Sequence, residues 1–164
     1  MEHDLTTPLG LPAATVDEIL CEHVLEHLPA DAWPALLADF HRVLRPGGVL
    51  RLAVPDYGAP GEPAGADPAQ PEHLVLPTAA SLRAALDASP FRGAYHLRQF
   101  WENGTFVDEA VRPHFRAATG VVKRCPARAA YFALNGVGAR YARRDAATGA
   151  PLASSLVVDM YKAY

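Results

Sequence analysis

The stretch VDEILCEHVLEHLPADAWPALLADFHRVLRPGGVLRLAVPD, residues 16–56, constrains the fold more than any other part of the chain. Its hydrophobic pattern changes period twice. Val16, Ile19, Leu20 and Cys21 make a short apolar run after the turn-rich PLGLPAAT, which predicts a strand within residues 15–24. Trp33, Leu36, Leu37, Phe40, Val43 and Leu44 then recur at helical spacing and form one apolar stripe. Asp31 is the expected N-cap, and Pro34 falls in the first turn, where its missing N–H costs nothing. Arg42 and Arg45 are expected in the last turn, favourable to the helix dipole, with Pro46-Gly47-Gly48 ending the helix. Val49 to Pro55 is apolar nearly throughout, as strands covered on both faces are. Strand, helix, glycine turn and strand make a βαβ unit, so a parallel pair with a right-handed crossover is predicted. The fold class is therefore α/β.

Downstream the signals are more scattered. Asp56 to His73 is a Pro/Gly/Ala-rich loop without apolar period, and long loops in compact domains tend to be functional or mobile. Thr78 to Ser89 reads as a helix capped by Thr78, with Leu82, Ala85 and Leu86 inward. Asn103-Gly104, flanked by aromatic and apolar residues, is the strongest hairpin cue in the chain. Ser154 to Tyr164 reads as a final buried strand centred on Leu156, Val157 and Val158.

The 164 residues suit one domain with one core. A net charge of −3 gives no electrostatic case for nucleic acid or an anionic membrane as partner. No apolar run approaches the roughly 20 residues that span a bilayer. The first ten residues carry acids and a proline where a signal peptide needs a basic start and an apolar core, so a cytoplasmic protein is expected. The two cysteines, Cys21 and Cys125, cannot build a disulfide framework and read as small buried hydrophobes.

His23-Val24-Leu25-Glu26-His27 spells the H-x-x-E-H pattern of inverted zinc peptidases. That motif needs both histidines on one helix face. Here a strand runs into His23, and Pro29 closes the segment. Glu72, Glu102 and Glu109 offer no convincing third ligand, and His3, His41, His73, His96 and His114 have no mutual spacing that suggests a site. No metal is assigned. His41, on the polar side of its helix, is expected in solvent.

Residues 16–56 resemble the second half of a class I S-adenosylmethionine-dependent methyltransferase. Members of that family share a fourth strand ending in a vLeHl-like turn, a helix, and an R-V-L-R-P-G-G turn into a fifth strand. The matching pieces are Val24 to Leu28, Arg42 to Gly48 and Val49 to Asp56. HDLTTPLGLPAATVDEI is similar to the family's approach to that fourth strand, and ARRDAATGAPLASSLVVDMYKAY to its closing strand pair. The resemblance implies a partial Rossmann-like sheet, mostly parallel with an antiparallel C-terminal hairpin, in one domain over residues 1–164. It also implies S-adenosyl-L-methionine as cofactor and an unknown methyl acceptor, a small molecule or other.

The family opens with a strand, a G-x-G-type loop and a helix, then a strand ending in an acid. The loop lets backbone approach the cofactor, and the acid bonds the ribose hydroxyls. By the resemblance this chain begins after both, which a late gene start would explain and which bears directly on activity. Gly58-x-x-Gly61 and Gly136-Val137-Gly138 do not follow a strong strand into a helix and do not substitute. The cofactor contacts that remain are implied at four residues. Asp4 and Leu5 match the acidic-apolar pair that meets the adenine. Glu22 and His23 match the floor beneath the methionine part, at a strand's carboxyl end, where open α/β sheets place ligands.

Each residue also has a plainer reading. Asp4 can cap its own turn, and His23 can be a pocket wall, a general base or a polar residue satisfied by backbone. Asp56 can line the pocket mouth or start a turn. Tyr57, His73 and Trp101 can form a lid or acceptor pocket, or Trp101 can pack in the core. The Arg140 to Asp145 run suits a solvated face. Methyl transfer mainly asks a protein to align nucleophile and methyl carbon and exclude water, so no catalytic residue is assigned. The rival to an enzyme is a non-catalytic methyltransferase-like module. Without the first strands a sheet edge lies open, and a homodimer is the expected cover.

Overall fold

The computed structural model describes residues 3–109, 147 and 155–163. Cys125, Gly136 to Gly138, the Arg140 to Asp145 run, His114 and the first member of the expected closing strand pair lie outside them.

The predicted βαβ unit is present. Strand β1 (Val16–Glu22) leads through two single 3-10 turns (Leu25–His27 and Ala30–Ala32) into helix α1 (Trp33–Val43) and then strand β2 (Leu44–Pro55). The two strands are parallel, with Ile19 opposite Leu50 and Cys21 opposite Leu52. Helix α2 (Ala79–Asp87), strand β3 (Tyr95–Glu102), strand β4 (Thr105–Asp108) and strand β5 (Ser155–Tyr161) complete one sheet of order β1-β2-β5-β3-β4. β5 runs antiparallel to both β2 and β3, so β1, β2 and β3 all point one way. β3 and β4 form the hairpin announced by Asn103-Gly104, whose φ values of 50° and 73° suit the primed turns that match strand twist.

Two helix boundaries differ from expectation. Asp31 is not the N-cap. It lies inside the second 3-10 turn, α1 is capped by Ala32 without a side-chain bond, and Pro34 does fall in the first turn. Nor does the helix reach Arg45. Residues before proline avoid the α region, and already at Leu44 the chain is extended, at φ −64° and ψ 141°. The Pro-Gly-Gly segment is instead an irregularity inside β2. Val16 pairs with Leu44 but Glu18 pairs with Val49, so residues 45–48 bulge out of the ladder. Gly48 is required there by space: a Cβ would lie 2.9 Å from the Arg45 carbonyl oxygen and 3.0 Å from that of Asp17. Arg45 reaches back to Asp17 at 2.7 Å and so ties the bulge to β1.

Residues alternate across the sheet. Leu50, Leu52 and Val54 of β2 and Leu156, Val158 and Met160 of β5 join Trp33, Leu36, Leu37 and Phe40 of α1 and Leu82 and Leu86 of α2 in one buried cluster. The alternate positions Arg51, Ala53, Val157 and Asp159 are also fully buried. Arg51 and Asp159 face each other across the β2–β5 ladder and form a two-pronged ion pair, Nε to Oδ1 at 2.6 Å and Nη2 to Oδ2 at 2.8 Å. Helix α2 starts as predicted, with Thr78 accepting from the Ser81 amide and the Ser81 hydroxyl accepting from the Thr78 amide. Among the described residues no helix is long and apolar enough to cross a membrane.

His41 is not simply solvated. Its ring meets Phe91 edge-on at 5.1 Å, and burial, with a smaller push from the Lys162 charge, holds its pKa below the usual imidazole value. Cys21 is buried as expected, its thiol pushed up to about 12 first by desolvation and then by Glu26 and Glu22.

Candidate functional site at the carboxyl ends of β1 and β2

β1 ends at Glu22. One further ladder bond, from the His23 amide to the Ala53 carbonyl at 2.8 Å, carries the register past it. His23 then turns into the left-handed region at φ 52°. A non-glycine residue there costs about 1–2 kcal/mol, so the surroundings must hold it. Ser155, at the start of β5, does so: its hydroxyl lies 3.0 Å from His23 Nε2. His23 Nδ1 lies 3.4 Å from Glu26 Oε1.

The turn that follows is pinned from two sides. The buried Trp33 indole donates to the Leu25 carbonyl at 3.0 Å, fixing the turn to α1. The amides of Leu74 and Val75 donate to the Glu26 carbonyl at 2.7 and 3.1 Å, drawing the loop after β2 onto it. This brings His73 beside His27, with ring centroids 4.8 Å apart in an edge contact. Glu26, His27 and His73 each present a ligand atom within 4.8 Å of the others. Glu26 is fully buried, and neither carboxylate oxygen has a hydrogen bond.

The H-x-x-E-H spelling therefore does not act as a helical pair. His23 belongs to the strand end and His27 to a 3-10 turn. The partner that sequence spacing missed is His73, delivered by the loop after β2. Its one sequence signal is that this long loop carries Tyr57 and His73 directly after a strand's carboxyl end.

That loop is locally ordered by its own side chains. Asp56 is buried and accepts from the Gly58 amide at 2.9 Å and the Trp101 amide at 2.6 Å, so it starts a turn and clamps β3. Burial first raises its pKa, and the two amides offset this only in part. Tyr57 donates to Asp67 at 2.8 Å and stands 2.6 Å from His73 Nδ1. Trp101 packs on Phe106 at 5.4 Å between centroids.

Asp4 and Leu5 lie on a different element. Asp4 Oδ1 accepts from the Thr6 amide at 2.9 Å and the Thr6 hydroxyl at 2.7 Å, bonds that hold its pKa below the usual carboxylate value. Leu5 lines a cleft of about 240 Å³ between the N-terminal segment and α1, with Ala32, Ala35 and Leu36. Arg42 staples this segment, donating to the carbonyls of Leu11 and Leu9 at 2.8 and 3.0 Å, while Asp39 accepts from the Leu9 amide at 2.6 Å.

Residues 1–52 match the family described as a methyltransferase domain. No curated protein sequence matches the chain. Among solved structures, a SAM-dependent methyltransferase from Archaeoglobus fulgidus aligns at 13% identity over 93% of this chain and 62% of its own, with a TM-score of 0.47. YcgJ from Bacillus subtilis aligns at 14% identity over 100% of this chain and 70% of its own, with a TM-score of 0.50. A methyltransferase from Mesorhizobium loti aligns at 15% identity over 97% and 67%, with a TM-score of 0.46. This chain thus spans less than two thirds of the Archaeoglobus protein. Its first third matches the methyltransferase domain model, and its open mixed sheet is the fold that it shares with YcgJ.

Proposed function

We propose that the chain takes part in S-adenosyl-L-methionine-dependent methyl transfer to an acceptor the sequence does not identify. The observation that carries the reading is the pair Glu22 and His23 at the carboxyl end of a parallel strand, inside the segment that matches the methyltransferase domain. Open α/β sheets bind ligands at that rim. When bound, the cofactor supplies a methyl group on a sulfonium, an electrophile that needs alignment more than activation.

The chain's residues would meet it from two sides. Glu22 and His23 form the floor for the amino-acid part, with the imidazole held by Ser155 and faced by Glu26. Leu5 offers an apolar wall for the base, and both described bonds of Asp4 fall on Oδ1, which leaves Oδ2 for a ligand. The fit is partial. Among the described residues, Gly58 and Gly61 sit in a turn-rich segment that opens no helix before Ala79, so the backbone cradle of a glycine loop is not supplied by them. What the described residues offer corresponds to the strand-end floor and the adenine wall of such a pocket.

Calorimetric titration with S-adenosyl-L-methionine tests this. Saturable binding weakened by Glu22→Ala and by Asp4→Ala supports it. A folded chain giving no heat at millimolar cofactor overturns it for this chain.

A second reading has its own observation. β1 is the outermost strand of the described sheet, and Leu20 on it is 37% exposed. An open strand edge is a template for pairing, which favours a non-catalytic module that docks a second copy. Light scattering at rising concentration separates the two: a dimer supports the module, and a cofactor-binding monomer refutes it.

A further inference from the structure

We infer that Glu26, His27 and His73 form a zinc-type divalent-cation site, independent of the methyl-transfer reading. The argument starts from proton bookkeeping. His27 Nδ1 lies 3.1 Å from the Glu72 carbonyl oxygen, which can only accept, so Nδ1 carries a proton and Nε2 is the nitrogen turned to Glu26. The single Tyr57 hydroxyl proton goes to Asp67, a carboxylate that can only accept, so the Tyr57 oxygen accepts from His73 Nδ1–H. His73 Nε2 is likewise left for another partner. In its neutral form each imidazole offers an acceptor nitrogen beside a carboxylate that is buried and has no hydrogen bond to either oxygen. A bound cation would satisfy all three, including the carboxylate that the His23 ring only approaches at 3.4 Å.

The surroundings match what a metal centre uses. Ligating histidines commonly donate the other ring N–H to a carbonyl or to a carboxylate-linked group, which fixes tautomer and orientation. Here Glu72 does so for His27, and the Tyr57–Asp67 relay does so for His73. Two imidazoles and a carboxylate suit zinc, and a three-residue set leaves a fourth position for water or substrate. Glu26 Oε1 and His27 Nε2 stand 3.9 Å apart. Zn–N and Zn–O bonds of about 2.0–2.1 Å in a tetrahedron place ligand atoms roughly 3.4 Å apart, so each side chain closes by a fraction of an ångström. His27 is 39% exposed, which gives an ion a path in. The site would clamp the turn after β1 to the loop after β2, at the carboxyl ends of the two parallel strands.

The test uses the full chain freed of metal, titrated with Zn²⁺ by calorimetry and with Co²⁺ by visible spectroscopy. One equivalent bound, with the d–d absorption of a tetrahedral Co²⁺ centre and a zinc-dependent rise in Tm, is the expected result. His27→Ala and His73→Ala, both at side chains that reach solvent, should each lower affinity about a hundredfold or more. Tyr57→Phe, which removes only the supporting hydroxyl, should lower it about tenfold. His96→Gln alters a surface histidine paired with Glu109 and should change nothing. Circular dichroism of each variant checks folding. Absent binding, a purely octahedral Co²⁺ spectrum, or undiminished affinity in a folded His73→Ala variant overturns the site.

Discussion

Asp159→Ala is the sharpest probe of how the sheet is held. Asp159 and Arg51 are both fully buried, sit opposite each other in the β2–β5 register, and share two short charge-assisted bonds. Arg98 adds a third contact to the same carboxylate at 3.2 Å. Removing the carboxylate strands a guanidinium in the sheet, and breaking a buried pair from one side costs about 3–5 kcal/mol. That is two to four powers of ten in the folding equilibrium, against a total stability of about 5–15 kcal/mol for a domain. The double replacement Arg51→Met with Asp159→Leu removes both charges and should recover most of the loss. Urea unfolding followed by circular dichroism and tryptophan fluorescence measures all corners of the cycle. A loss below about 1 kcal/mol in Asp159→Ala with an unchanged m-value would refute the reasoning, because it would mean that Arg51 finds water or another anion at no cost.

Gly48→Ala should lose about 1–3 kcal/mol in the same assay, since the new methyl meets two backbone carbonyls that cannot swing away. Thr78→Ala should cost about 1 kcal/mol by opening the capping box of α2, and Thr78→Ser should restore most of it. Asp39 has its pKa lowered: burial, the largest influence, pushes it up, but the bonds from Arg42 and the Leu9 amide prevail. Its contribution is therefore present above the unfolded value of 3.8 and lost as pH falls through and below it, so Asp39→Asn should flatten the acid limb of stability against pH. His41 behaves with a different window. Its folded pKa lies below 6.5, so stability should rise with pH up to about that value, and His41→Leu should remove that slope.

The parts legible in the sequence were those whose signal is local and periodic. The stripe from Trp33 to Val43, the apolar run from Val49 to Val54, the Thr78 cap and the Asn103-Gly104 turn each carry their own short-range instruction. Boundaries failed where two local rules competed. At Leu44 the proline two residues on overruled the helical stripe, and the glycines taken for a helix stop became a bulge in a strand. Asp31 looked like a cap because the chain's detour through a 3-10 turn after Pro29 leaves no trace in composition. The Glu26–His27–His73 cluster was illegible for a different reason. It depends on Leu74 and Val75 bonding to the Glu26 carbonyl, a tertiary event that spacing along the chain cannot encode.

The strand order has a consequence for the moment of folding. β2 is flanked by β1, which is nearby in the chain, and by β5, whose Asp159 is 108 positions from Arg51. On a ribosome, β1, α1 and β2 emerge together, yet one long edge of β2 must wait for a strand about a hundred residues further on. High contact order of this kind slows folding and leaves a sticky edge bare in the interval. Such a topology puts the exposed interval during synthesis, before the β2–β5 ladder can close.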